Sequence, residues 1–162
     1  MLSALFPILY VKFDSDRLTV RNVRTGAEIS EVPEIAMRKA GKKTVILASG
    51  VEARNAAFTQ SAELINPFNH PRILLGDSIL GQQLLKSFIH RLDRTWWFAL
   101  TTRVVMHPTG FHTGSFTQAE CRTFCEMALG AGASQVVLWL GRELSDQEVQ
   151  STATRHHEEG LQ

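Results

Sequence analysis

Partway along this chain the spacing of its apolar residues switches from strand-like to helical, and the switch narrows the folds open to it. Up to Gly50 the apolar residues come in short runs divided by turn-forming residues. "ILYVKF" (Ile8–Phe13) and "RLTVRNV" (Arg17–Val23) are two such runs. "DSD" (Asp14–Asp16) between them makes a tight turn, because short polar side chains bond nearby backbone groups. Thr25–Gly26 makes a second turn, and Glu28–Met37 reads as a third strand, with Pro33 placing it at an edge or a bulge. "KKTVILASG" (Lys42–Gly50) is a further short strand, so the expectation for this part is an antiparallel meander. From Ser78 to Leu92 the period becomes helical: Leu80, Leu84, Leu85, Phe88, Ile89 and Leu92 share one face.

"TRVVMHP" (Thr102–Pro108) is then a buried strand ended by proline. Thr117-x-x-Glu120 is a capping box, in which hydroxyl and carboxylate satisfy N–H groups that a first helical turn leaves unpaired. Cys121, Phe124, Cys125, Ala128 and Leu129 form the apolar face of the helix it opens, and "GAGA" (Gly130–Ala133) stops that helix. "SQVVLWL" (Ser134–Leu140) is a last buried strand. Ser145-x-x-Glu148 starts a final helix, and the tail "TRHHEEGLQ" is expected to fray.

Composition removes several classes. At 162 residues, 44% hydrophobic and 20% charged, the chain suits one ordinary globular domain or a piece of a larger one. A net charge of +1 leaves no electrostatic footprint for nucleic acid. No apolar run is long enough to span a bilayer. "MLSALFPILYV" has neither a basic n-region nor a small-residue cleavage site, so it is read as mature sequence. Two cysteines four residues apart on a helix are poorly placed for a disulfide, and a cytoplasmic setting follows.

The order of elements, β-β-β, a short strand, then α-β-α-β-α, resembles that of a ribonuclease H-like domain, the half-unit of the actin and Hsp70 ATPases. Specific residues sharpen the resemblance. "INPFNHPRILLGDSILGQQLLKSFIHRL" (Ile65–Leu92) is similar to the MreB segment "I-R-P-[ML]-K-D-G-V-I-A-D-F…M-L-x-x-F-I". "RVVMHPTGFHTGSFTQAECRTFCEMALGAGASQVVLWL" (Arg103–Leu140) resembles that family's "R-V-[LV]-[VI]-x-[VI]-P…E-x-R-A-[IV]-x-E-[SA]-A-x-x-A-G-A-R-E-V-x-L-I". "EVPEIAM" (Glu31–Met37) is similar to "N-E-P-S-V-V-A", and "ASGVEARN" (Ala48–Asn55) to "A-V-G-x-E-A-K". The matches are collinear over about Ile8 to Leu140. They imply an α/β, ribonuclease H-like, mixed five-stranded sheet with flanking helices, corresponding to the first half of an MreB-like actin homologue. The expected organisation is a single domain over residues 1–145, then a terminal helix and polar tail over 146–162.

In that family the nucleotide lies in a cleft between two such halves, and the second half has no counterpart here. The first half departs from the family at its working positions. "D-L-G-T-x-x-T" aligns with "KFDSDRL", so Lys12 stands where the metal-directed aspartate belongs and Asp14 where the glycine of the phosphate turn belongs, with Ser15 next to it. Carboxylates there repel a phosphate, by about 1 kcal/mol per charge pair at 4 Å in water. The family's water-positioning "E-E-P" aligns with Leu140, Gly141 and Arg142. Phosphoryl transfer depends on positioning and charge stabilisation, so ATP and magnesium are not expected to bind this chain alone.

Other chemistries have plainer explanations. His107, His112, Cys121 and Cys125 are of metal-ligand type, but their spacing matches no tight knuckle, and core cysteine is preferred. Asp14, Asp16 and Asp77 are too few for a metal-dependent nuclease, and Asp77 falls on the family's "A-D-F" aspartate. Trp96, Trp97 and Phe98, with Arg94 before them, occupy a turn that inserts into the cytoplasmic membrane in some MreB proteins. Lipid contact aided by Arg91, Arg94 and Arg103, protein contact, and plain core are all open to these rings. The resulting expectation is a non-catalytic, rod-shape-determining MreB-like module. It would bind a cytoskeletal or cell-envelope partner or itself, in the cytoplasm or at the inner face of the membrane. The alternative is half of a split ATPase that binds ATP only with a second chain.

Overall fold

The computed structural model describes residues 6–69, 75–93, 101–110 and 116–159, and of 75–77 and 156–159 the backbone alone. Strands β1 (Ile8–Phe13), β2 (Leu18–Asn22) and β3 (Glu28–Glu31) form the expected antiparallel meander. β4 (Ile35–Ala40), β5 (Lys43–Ser49), helix α1 (Glu52–Thr59) and β6 (Glu63–Ile65) follow. Helix α2 (Leu75–Leu92), β7 (Arg103–Pro108), α3 (Gln118–Gly130), β8 (Gln135–Leu138) and α4 (Asp146–Glu159) complete the order.

The main sheet has five strands in the order β3-β2-β1-β7-β8, with β1, β7 and β8 parallel. This is the mixed five-stranded sheet expected from the sequence. Its two faces follow the period of two along β1. Leu9, Val11 and Phe13 point to one side, into a core with Leu84, Leu85 and Phe88 of α2 and Phe124, Met127 and Ala128 of α3. Ile8 and Tyr10 point to the other side, where Val149 and Ala153 of α4 cover them.

The segment Glu28–Met37 is not one strand. Pro33 has no N–H to give a ladder, and the chain leaves the main sheet after Glu31. From Ile35 it builds a second, three-stranded antiparallel sheet in the order β5-β4-β6. The meander therefore stops at β3, and the Lys42–Gly50 run belongs to this second sheet. One side of the small sheet is capped by α1 through Ala36, Ala53 and Ala56. The other joins the main core through Ile35, with Ile46 and Ile65 packed beside it.

Two further readings are corrected. The buried face of α3 is formed by Phe124, Met127 and Ala128, while Cys121 and Cys125 are half-buried and Leu129 is exposed. The polar tail does not fray at Thr154, because α4 continues to Glu159. Both capping boxes are present. Thr117 Oγ1 accepts from the Glu120 N–H at 3.2 Å, and Glu120 Oε2 accepts from the Thr117 N–H at 2.7 Å. Ser145 and Glu148 make the same exchange at 3.3 and 2.8 Å.

Candidate binding crevice at the ends of the parallel strands

In an open α/β sheet, ligands collect beyond the carboxyl ends of the strands, where the strand order reverses. Here the reversal lies between β1, whose chain continues outward to β2, and β7 on its other side. Phe13 and Pro108 are register partners at that end. Thr109 and Gly110 meet the Lys12–Leu18 segment there, against Asp14, so Lys12, Asp14 and Ser15 lie at that end of the sheet.

Asp14 is committed to its own turn. Its Oδ1 accepts from the N–H groups of Asp16 and Arg17 at 2.7 and 2.8 Å. Its Oδ2 accepts from Thr109 Oγ1 at 3.3 Å. Gly110, at φ 72°, lets the next segment come close: a Cβ there would sit 3.1 Å from the Asp14 Cβ. A phosphate-binding turn offers backbone N–H groups to an anion. In this turn the two amides already hold an anion supplied by the chain. The Ser15 carbonyl accepts from Asn66 Nδ2 at 2.7 Å, which ties the turn to the segment ahead of α2.

The loop after β8 packs against the same end of the sheet on the α4 side. Lys12 Nζ is 2.5 Å from Glu143 Oε1, and this cation lowers the Glu143 pKa. His107 is the register partner of Lys12 and is buried. Its Nε2 is 2.9 Å from the Gly141 carbonyl oxygen, which can only accept, so Nε2 carries the proton. Its Nδ1 then accepts from the Tyr10 hydroxyl at 2.7 Å, and the hydroxyl oxygen accepts from the Leu144 N–H at 3.2 Å. Burial lowers the His107 pKa and raises that of Tyr10. Leu140 stays exposed, whereas a Cβ at Gly141 would fall 2.7 Å from Trp139 Cζ2.

Lys12, Asp14, Ser15, Leu140 and Gly141, expected from the resemblance to be degenerate nucleotide-site positions, follow or end the parallel strands β1 and β8 at one end of the sheet. Sequence reasoning missed Tyr10, Asn66 and Glu143, and it read His107 only as a metal-ligand type. The alternation Tyr10, Lys12 along β1 was the available signal for the first of these. His107 faces α4 while Cys121 and Cys125 lie on α3 across the sheet, and no metal-holding cluster occurs among the described residues. Burial pushes the Cys125 thiol pKa up, away from nucleophilic use. Arg94, Trp96, Trp97, Phe98 and His112, and the side chain of Asp77, lie outside the described residues. Arg91, counted above as a cation for lipid, is paired with Glu31 at 2.7 Å. No helix among the described residues is long and apolar enough to cross a membrane.

No model of a known protein family matches the sequence, and no curated protein matches it. Solved structures do. MreB5 of Spiroplasma citri bound to ADP covers 85% of this chain with a TM-score of 0.62 at 18% identity. A non-polymerising mutant of MamK bound to AMPPNP covers 82% with a TM-score of 0.60 at 14% identity. The chain has an actin-like fold. The actin-like neighbours also include the MamK double helical filament, at a TM-score of 0.54 and 14% identity over 81% of the chain. This chain spans 39% of the length of MreB5 and 40% of that of MamK.

Proposed function

We propose that this actin-like chain works by binding, to a cytoskeletal or envelope-morphogenesis complex and to further copies of itself, without hydrolysing ATP. The observation that carries the reading is the Asp14 carboxylate bonded to the Asp16 and Arg17 amides. An incoming phosphate must displace a covalently attached anion from those donors. It meets carboxylate repulsion while doing so. Lys12 supplies a cation where metal-assisted chemistry needs an oxygen ligand, and Glu143 neutralises it. The residues present therefore do not fit a magnesium–nucleotide pair. The binding role draws support from the fold, which MamK uses in a double helical filament.

Isothermal titration of the purified chain with Mg-ATP tests this. The expected outcome is no saturable heat, corresponding to a Kd weaker than about 1 mM. Micromolar binding by this chain alone defeats the non-catalytic reading. Tight binding that appears only when a second actin-like chain is added replaces it with a split ATPase.

A further inference from the structure

The small sheet carries a surface unconnected with the crevice. Its order leaves β5 paired on one side only, with β4, so its other side is an open edge among the described residues. An open edge presents backbone N–H and C=O groups to any strand that can lie beside it. A groove of about 470 Å³ runs along the later part of this strand. It is bounded by Leu47 and Ser49 of β5, Glu52 and Asn55 of α1, and Ser87 and Arg91 of α2, so its single carboxylate lies at the far end from the basic apex.

The start of the strand is basic. β4 and β5 meet at the two-residue turn Gly41–Lys42, with Gly41 at φ 65°, as a II′ hairpin turn requires of its first central residue. Arg38, Lys39, Lys42 and Lys43 surround this apex, all exposed. None of them takes part in the salt bridges formed among the described residues. Arg38 pairs with Val45 and Ala40 with Lys43, so Arg38, Lys43 and the half-exposed Val45 share one face.

We propose that the open edge of β5 receives an extended acidic segment of a partner protein. The segment adds as a strand beside β5, with its carboxylates against Arg38, Lys42 and Lys43. The proposal rests on the binding role argued above and supplies the chemistry of the partner. The edge itself selects a polypeptide over other polyanions, because strand addition draws its affinity from main-chain hydrogen bonds that lipid headgroups and nucleic-acid phosphates cannot make. Single-stranded nucleic acid would also need aromatic platforms, and the apex has none. A second copy of this chain brings the same basic apex, and exposed edge lysines work against the pairing of like strands.

Two labelled peptides of about ten residues, long enough to span a strand, test the proposal by fluorescence anisotropy. One alternates threonine and glutamate. The other has the same sequence with every peptide nitrogen methylated, which keeps the charge and removes every main-chain N–H. The first is expected to bind and the second to bind at least about tenfold more weakly. Lys42→Glu with Lys43→Glu, a change at exposed positions checked for folding by circular dichroism, should weaken the first by at least about tenfold. Amide exchange over residues 43–49 should slow in the complex. Equal affinity for the two peptides, or binding unaltered by the charge reversal, overturns the proposal. So does lysine-dependent binding to phosphatidylglycerol vesicles or duplex DNA that the threonine–glutamate peptide fails to displace. Nucleotide takes no part in the measurement, so failure here leaves the ATP test standing, and failure there leaves this one readable.

Discussion

His107 is gripped at both ring nitrogens, by a carbonyl that fixes its tautomer and by a hydroxyl that depends on the tautomer being fixed. Protonating Nδ1 removes the acceptor for Tyr10 O–H while the ring stays buried. With the folded pKa below the ordinary 6.5, the folded state binds fewer protons than the unfolded one as the pH drops. This contribution to stability is fully present above pH 6.5 and is lost as the pH falls toward the folded value, at no more than about 1.4 kcal/mol per pH unit. Urea denaturation between about pH 7.5 and 5.5, one unit either side of the ordinary value, is expected to show that decline, and His107→Gln to flatten it. A slope retained in the variant would assign the effect elsewhere. The carboxylates held low by cations, Glu31, Glu143 and Asp146, act in the same direction but only below the ordinary carboxylate pKa.

At the scale of elements, what could be read from the sequence was what is local. The Thr117 and Ser145 boxes are visible because each needs only four consecutive residues. Thr117→Ala and Ser145→Ala are each expected to cost about 1 kcal/mol in urea unfolding. The second helix start has an acid limit of its own. Arg142 beside Glu148 holds its carboxyl down to about 2, so the cap persists above the ordinary pKa of 4.5 and is lost as the pH falls toward 2. An Arg142→Ala chain should lose it at higher pH. The elements that were missed depend on distant partners. α1 is eight residues long and lacks a side-chain cap at Val51, and its helicity rests on alanines packed against β4. The break at Pro33 was legible as an edge or bulge, but the departure to another sheet depends on Ile35 finding Ile65 across the ladder. The crevice was half legible for the same reason. Lys12 and Asp14 stand out against a family pattern, whereas Glu143 reaches Lys12 from 131 residues away.

For the whole molecule, the aromatic run Trp96–Phe98 sets a separate test. Trp96→Ser with Trp97→Ser is first checked for folding by circular dichroism, since these rings lie outside the described residues. The same change should lower co-sedimentation with anionic liposomes, because tryptophan favours the headgroup region. A pellet unchanged from the parent chain would retire the lipid contact and leave protein contact or core for those rings.

Ile35 belongs to the small sheet by its hydrogen bonds and to the large core by its burial. The small sheet and the main sheet thus share one packed interior through Ile35, with Ile46 and Ile65 beside it. A substitution that shrinks Ile35 would loosen both sheets at once, because close-packed neighbours relax only in part.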